Sequence, residues 1–285
     1  MQKVTVLGLG AMGAGMAANL QTAGLLHAAW NRGAARAEQF MADTGFSCAS
    51  SVVDAVSGAN VVLSCVSADS DVLQLVDAAA PALTAGCVWV DSSTISAETA
   101  RKVAAYLSSL GVLFLDAPVS GGKEGAENGA LAIMCGGEAA AYNAVLSVFE
   151  AIGARWQLMG PVGAGQATKA VNQIMAAGMN QAVTEAMAFA QSQGLPIEKV
   201  IDVVGSGAAG NWFVNHRGQS MTDGCFTPGF RVALHHKDLK ICQDMAEASG
   251  VPTRVVEETL ADYQQLMEQG FGDEDISALY RLKRR

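Results

Sequence analysis

Lys169 and Asn172 lie three residues apart in Gly163-Ala164-Gly165-Gln166-Ala167-Thr168-Lys169-Ala170-Val171-Asn172-Gln173. On an α-helix that spacing puts both side chains on one face. An amine and an amide, both side chains that could carry chemistry, then stand together at a helix start. A free lysine, with a pKa near about 10.4, is a poor base at neutral pH. In the first turns of a helix the positive dipole end disfavours the ammonium, and burial pushes the same way.

Two further stretches carry chemistry. In Asp116-Ala117-Pro118-Val119-Ser120-Gly121-Gly122 a hydroxyl is followed by two glycines whose backbone N–H groups are unobstructed, which makes a small nest for an anion. Near the start, Val4-Thr5-Val6-Leu7 runs directly into Gly8-Leu9-Gly10-Ala11-Met12-Gly13 and then the helix-prone Met16-Ala17-Ala18-Asn19-Leu20. In a strand–turn–helix of this kind the first glycine makes the tight turn and the second lets a pyrophosphate approach the backbone. The third lets helix and strand pack closely. The N–H groups of the helix N-terminus then face the anion.

The strand expected next, Leu26–Trp30, ends in Asn31-Arg32, where an NAD-selective site places an acid for the ribose 2′-hydroxyl. No carboxylate stands there, and Arg36 is close by. Guanidinium groups favour a 2′-phosphate, so the reading is NADP in preference, with NAD possible.

The elements that position these residues follow from periodicity. Further strands are expected at 61–66, 88–91, 112–116 and 131–135, and helices at 36–43, 50–57, 71–80, 96–109 and 138–151. This βα alternation predicts a doubly wound, mostly parallel sheet of the α/β class. Ligands in such sheets sit at the C-terminal ends of strands, which adds Val66-Ser67-Ala68 and Asp91-Ser92-Ser93-Thr94 to the candidates. After Gly165 the pattern is helical only: 166–193, then 198–204, 211–221, 231–249, 252–269 and 274–280. The expected domains are therefore 1–162, binding a dinucleotide, and 163–285, all-helical and joined by the long helix. That junction would aim Lys169 into the cleft between them. The long helix is rich in Ala and other small apolar residues, so it is expected to be buried on several sides and to serve as a subunit contact. Asn211-Trp212-Phe213-Val214 offers an aromatic pocket wall. His235 and His236 are adjacent and fall on different helical faces, which favours a structural role over a shared metal.

Composition narrows the partners. The chain has 285 residues, 51% hydrophobic, and a formal charge of −9. Residues 1–162 carry seven basic and thirteen acidic side chains, residues 163–285 eleven and fourteen. Neither part offers the positive field that nucleic acid requires. The basic run Arg281, Lys283, Arg284, Arg285 reads as a solvated tail. Six cysteines without a CxxC pair, most of them in apolar runs, read as buried free thiols in a reducing cytoplasm. No apolar run reaches the roughly 18 residues of a membrane span.

The glycine turn at 8–13, the Asp-Ala-Pro-Val-Ser-Gly-Gly loop, the Gly165-x-x-x-Lys169-x-x-Asn172 helix start and Lys237-Asp238-Leu239, in that order, resemble the β-hydroxyacid dehydrogenase family. The resemblance covers nearly the whole chain. It implies an N-terminal Rossmann-type domain, an all-α C-terminal domain, and hydride transfer between NADP(H) and a short β-hydroxy acid or its semialdehyde. It also implies that Lys169 is the general acid/base and that Asn172 holds substrate beside it. Ser120, Gly121 and Gly122 then bind the substrate carboxylate, Thr94 contacts the cofactor, and Lys237 reaches the nicotinamide side. A homodimer or homotetramer is expected. Members include 3-hydroxyisobutyrate dehydrogenases and glyoxylate/succinic semialdehyde reductases, the latter being the alternative substrate reading. Some relatives use the fold without catalysis, but those lack the lysine. Val171 stands where 6-phosphogluconate dehydrogenase has histidine, which disfavours a sugar phosphate, and retention of Lys169 separates the chain from imine reductases. Ser67 replaces a proline common at that place.

Overall fold

A computed structural model describes residues 2–284. The chain divides into two compact units, residues 1–169 and 170–285.

The first unit is built on eight strands: β1 (Val4–Leu7), β2 (Leu26–Trp30), β3 (Val61–Ser64), β4 (Val88–Asp91), β5 (Leu113–Asp116), β6 (Val119–Ser120), β7 (Leu131–Gly137) and β8 (Gly153–Gly160). They follow the order β2-β1-β3-β4-β5-β7-β6, with β8 also paired to β7. The first five are parallel, whereas β5 and β6 meet β7 antiparallel. Between them run α1 (Gly13–Thr22), α2 (Ala34–Thr44), α3 (Val52–Val56), α4 (Asp69–Ala79), α5 (Ala97–Ser109), α6 (Gly122–Glu127), α7 (Ala139–Ala144) and α8 (Leu146–Ile152).

Strand alternation explains why this sheet is covered on both faces. Val4, Val6, Val61, Leu63, Val88 and Val90 feed one core with Met16 and Leu20 of α1 and Phe149 of α8. Their neighbours Leu7, Val62 and Trp89 feed the other, with Val72 and Val76 of α4 and Val103 and Leu107 of α5. Strand order reverses at β1, so the glycine turn that follows it lies at the switch point where doubly wound sheets take ligands.

The second unit is helical. It comprises most of α9 (Ala164–Ser192), then α10 (Ile197–Gly205), α11 (Trp212–Thr222), α12 (Val232–Ser249) and α13 (Arg254–Glu268). A 3₁₀ turn, Ile276–Leu279, leads into α14 (Tyr280–Lys283). Ala177, Val183 and Met187 of α9 join Phe213, Leu239, Val256 and Tyr263 in its core. Val171, Met175 and Phe189 of the same helix stay exposed, at 58, 61 and 65%.

Several expectations are corrected. The helix expected at 138–151 is two, because Val145 leaves helical geometry between them. The stretch after Pro118 forms β6 and α6, and β8, not expected, is an edge strand in which exposed Arg155, Gln157 and Met159 alternate with half-buried Trp156 and Leu158. The basic run is no solvated tail. Arg281 pairs with Glu274 and lies over the rings of Phe226 and Phe271 at 4.4 and 4.2 Å, and Lys283 reaches Asp262 at 3.2 Å. Arg285 lies outside the described residues. Cys87, Cys135 and Cys242 are buried, but Cys225 is exposed.

Candidate active site

The glycine turn is fixed by its neighbours. Gly8 has φ +102°, and a Cβ there would run into the carbonyl of Cys65 just beyond β3. A Cβ at Gly13 would strike the carbonyl of Gly8. Gly10 differs: the nearest atom to a built Cβ is Arg36 Nη1, at 3.0 Å. Gly10, Ala11 and Ala14 line a cavity of about 290 Å³ together with Arg36, Asp43 and Lys123. A backbone stripped of side chain beside two cations fits a dinucleotide's phosphates.

Asn31, at the end of β2, closes this turn: Leu9 N donates to its Oδ1 at 2.9 Å and its Nδ2 donates to the Gly33 carbonyl at 2.9 Å. Arg32 is exposed and its Nη1 meets Asp71 Oδ1 at 2.8 Å. Of the two arginines, it is therefore Arg36 that lies along the cavity. Val66 N donates to Ser93 Oγ at 2.9 Å, Ser67 is exposed and Thr94 half-buried. Ser120 belongs to β6 opposite Ala132, and Gly121 and Gly122 follow with φ +139° and +63°, values that favour glycine.

Two buried aspartates end adjacent strands in register, Asp91 of β4 and Asp116 of β5. Asp91 Oδ1 accepts from Ser64 Oγ at 2.7 Å, and burial pushes this carboxyl up to about 7 against the pull of Ser64 and Ser93. Asp116 accepts from Gly163 N and Gln166 N, each at 2.8 Å. Burial raises it to about 6 while these N–H groups pull it down. Gln166 is in the first turn of α9, and Lys169, three residues on, is buried.

In the second unit Asn172 Nδ2 donates to Gln173 Oε1 at 2.7 Å, and Gln173 Nε2 donates to Asp238 Oδ2 at 2.7 Å. The other oxygen of Asp238 pairs with Lys237 Nζ at 2.9 Å. Two residues expected to do chemistry, Asn172 and Lys237, are thus linked, each half-buried, through the buried pair Gln173 and Asp238. Gln173 and Asp238 were not singled out, although each directly follows a chosen residue. His235 is fully buried with Nδ1 3.0 Å from the Tyr263 hydroxyl, which gives it a structural place. The Asn211–Val214 segment divides: Asn211 caps α11, Phe213 and Val214 are core, and Trp212 is half-exposed, stacked on His216 at 4.4 Å. Among the described residues no group of three or more His, Cys, Asp or Glu could hold a metal, and no helix is long and apolar enough to cross a membrane.

The glycine turn at the switch point of a doubly wound sheet defines a dinucleotide-binding fold of the Rossmann type. Comparison with known proteins carries this further. Residues 3–160 match the NAD-binding domain of 6-phosphogluconate dehydrogenase, and residues 163–283 match the NAD-binding domain of NADP-dependent 3-hydroxyisobutyrate dehydrogenase. The chain belongs to the β-hydroxyacid dehydrogenase family. It is 43% identical to an uncharacterized oxidoreductase of Shewanella frigidimarina over 88% of this chain and 87% of that one. With an NAD-dependent L-serine dehydrogenase of Pseudomonas aeruginosa it shares 34% identity, covering 99 and 98%. The solved 3-hydroxyisobutyrate dehydrogenase of Mycobacterium tuberculosis with L-serine superposes with a TM-score of 0.88 at 32% identity, all of both chains covered. The activity is that of an NAD(P)-dependent β-hydroxyacid dehydrogenase.

Proposed function

We propose that the protein interconverts a short β-hydroxy acid and its semialdehyde with NADP(H) in preference to NAD(H), Lys169 serving as general acid/base. The observation that carries this reading is Lys169 itself, buried in the first turns of α9. Bound NADP(H) supplies or accepts the hydride. Gly10 and Ala11 receive the pyrophosphate, Arg36 faces the 2′-phosphate, and Thr94 with Val66 and Ser67 borders the cofactor beyond. Ser120, Gly121 and Gly122 take the substrate carboxylate through a hydroxyl and backbone N–H groups. Asn172 steadies the carbinol oxygen, and Lys169 Nζ takes its proton in oxidation or returns it in reduction. Lys237 is paired with Asp238 at 2.9 Å, and the role proposed for it is the one the family resemblance implies. The relatives named for 3-hydroxyisobutyrate and L-serine support a β-hydroxy acid of three or four carbons, reduction of glyoxylate or succinic semialdehyde being the alternative. The exposed Val171 and Met175 support a homo-oligomer through α9.

The test is turnover of Lys169→Ala with NADPH against semialdehydes and glyoxylate, and with NADP⁺ against 3-hydroxyisobutyrate and L-serine. A loss of about a hundredfold or more in kcat is expected for a positioned acid/base, and wild-type turnover refutes the role.

A further inference from the structure

The proposed site names residues that touch cofactor or substrate, and none of them explains why the chain enters α9 as it does. The glycines at 163 and 165 are the first clue. Gly163 has φ +95°, which only glycine adopts readily. Gly165 lies against the carbonyls of Asp116 and Met134, so that a Cβ there would overlap both. Gly136 of β7 completes the enclosure: a Cβ on it would stand 2.5 Å from Asp116 Oδ1 and 2.7 Å from Gly165 N. Gly136 and Gly165 thus clear space for one carboxylate, and Gly163 makes the turn that brings the helix start to it.

We propose that Asp116 is a positioning residue for Lys169, its carboxylate capping the first turn of α9 from the end of β5 and so fixing where the lysine points. Oδ1 accepts from Gly163 N and Oδ2 from Gln166 N, both at 2.8 Å, so the two oxygens span the turn that precedes Lys169. The N–H groups at a helix start lack intrahelical partners and favour a negative charge. Helices are usually capped by a residue of their own chain segment. Here the cap comes from the core sheet 50 residues earlier, so the helix start is tied to the sheet that carries the cofactor turn. Gln166 makes the tie rigid. Its Nε2 donates to the Ser93 carbonyl at 2.8 Å, and its Oε1 accepts from Ile95 N at 3.2 Å, both in the loop after β4. The same loop holds Val66 through Ser93 Oγ. Lys169 is one turn beyond Gln166, and a shift of about 1 Å in that turn moves the amine out of proton-transfer reach, which costs on the order of a hundredfold.

This inference rests on Lys169 as the acid/base, and a double-mutant cycle separates the two. Asp116→Asn, Lys169→Ala and the double variant are measured at high enzyme concentration for kcat, for NADPH affinity by cofactor fluorescence, and for the isotope effect on kcat with deuterated NADPH. Asp116→Asn is expected to lose about ten- to a hundredfold in kcat with NADPH affinity within about twofold and a larger isotope effect, because the chemical step slows. In the Lys169→Ala background it should cost nothing more, since the group it positions is gone. An Asp116→Asn enzyme with wild-type kcat overturns the proposal, as does a loss carried by cofactor affinity or one that multiplies fully onto Lys169→Ala. If Lys169→Ala itself turns over normally, the acid/base reading falls and takes this one with it. Should Asp116→Asn fail to fold, Gln166→Ala, which cuts only the side-chain ties, must show the same split between kcat and cofactor affinity and the same lack of effect without Lys169.

Discussion

Gln173 Nε2 donates to Asp238 Oδ2 at 2.7 Å, with both side chains buried. The bond sets the direction of the Gln173 amide: with its NH₂ committed to a carboxylate, its oxygen is left to accept from Asn172 Nδ2, also at 2.7 Å. Asn172 must then present its own oxygen outward. Gln173→Leu removes both partners' contacts and leaves Asp238 one hydrogen bond short in a buried place. The expected cost is about 1–3 kcal/mol of stability, read from chemical denaturation, together with a fall in kcat of about tenfold as Asn172 loses its orientation. A variant equal to wild type in both shows that the chain from Asn172 to Lys237 is incidental.

The proposed preference for NADP(H) rests on Arg36 more than on Arg32. Arg32 Nη1 is engaged by Asp71 at 2.8 Å in an exposed pair, whereas Arg36 lies beside Gly10 on the wall of the cavity. Hydrogen bonds from a guanidinium to a phosphate are worth about 1.5–3 kcal/mol, so Arg36→Ala should lower kcat/KM with NADPH by about ten- to a hundredfold. With NADH it should change little. Arg32→Ala should do less. A ratio of the two efficiencies that Arg36→Ala leaves unmoved places the 2′-phosphate elsewhere.

Asp91 makes stability depend on pH in a specific direction. Its folded pKa of about 7 stands above the ordinary carboxylate value because burial disfavours the charged form. A carboxyl raised in this way contributes stability fully below its unfolded pKa, and the contribution is lost as pH rises through about 7. Asp116, raised to about 6, acts in the same sense one strand away. Wild-type protein should melt at a lower temperature at pH 8 than at pH 5.5, and Asp91→Asn, which cannot ionise, should flatten that slope. Parallel melting curves for the two proteins across this range exclude Asp91 as its source.

Much of this was legible in the sequence because the signals are local. The run Val4-Thr5-Val6-Leu7 before the glycine turn fixes β1 and α1, and Leu26–Trp30 and Val88–Asp91 are strands with those bounds. The strand β8 was missed although Arg155-Trp156-Gln157-Leu158 alternates, since it holds no Val, Ile or Thr and the pairing that makes it a strand comes from β7. The same holds within the site. Lys169 and Asn172 announce themselves by helical spacing, but the bonds from Asp116 to Gly163 and Gln166, and from Gln173 to Asp238, join positions 47 to 65 residues apart. Only the folded sheet and helices bring such pairs together, and no periodicity records them. Arg281 shows the same limit: its place over two phenylalanine rings cannot be read from a basic terminal run.

The glycines of the cofactor turn separate packing from binding, and alanine tells them apart. At Gly13 a methyl would collide with the Gly8 carbonyl, backbone that cannot retreat without opening the strand–helix junction. Gly13→Ala should therefore cost about 1–3 kcal/mol or more through overpacking, lowering the melting temperature before any cofactor is added. At Gly10 a methyl meets only the tip of Arg36, at 3.0 Å, and a flexible side chain can yield. Gly10→Ala should keep wild-type stability but weaken NADPH by about tenfold or more, because the methyl occupies the approach that the pyrophosphate needs. Thermal melts of the two variants without cofactor, followed by fluorescence titration with NADPH, measure both halves. If Gly10→Ala binds NADPH as wild type does, the phosphates do not pass over this turn, and the cavity beside Arg36 and Lys123 is not where the dinucleotide lies.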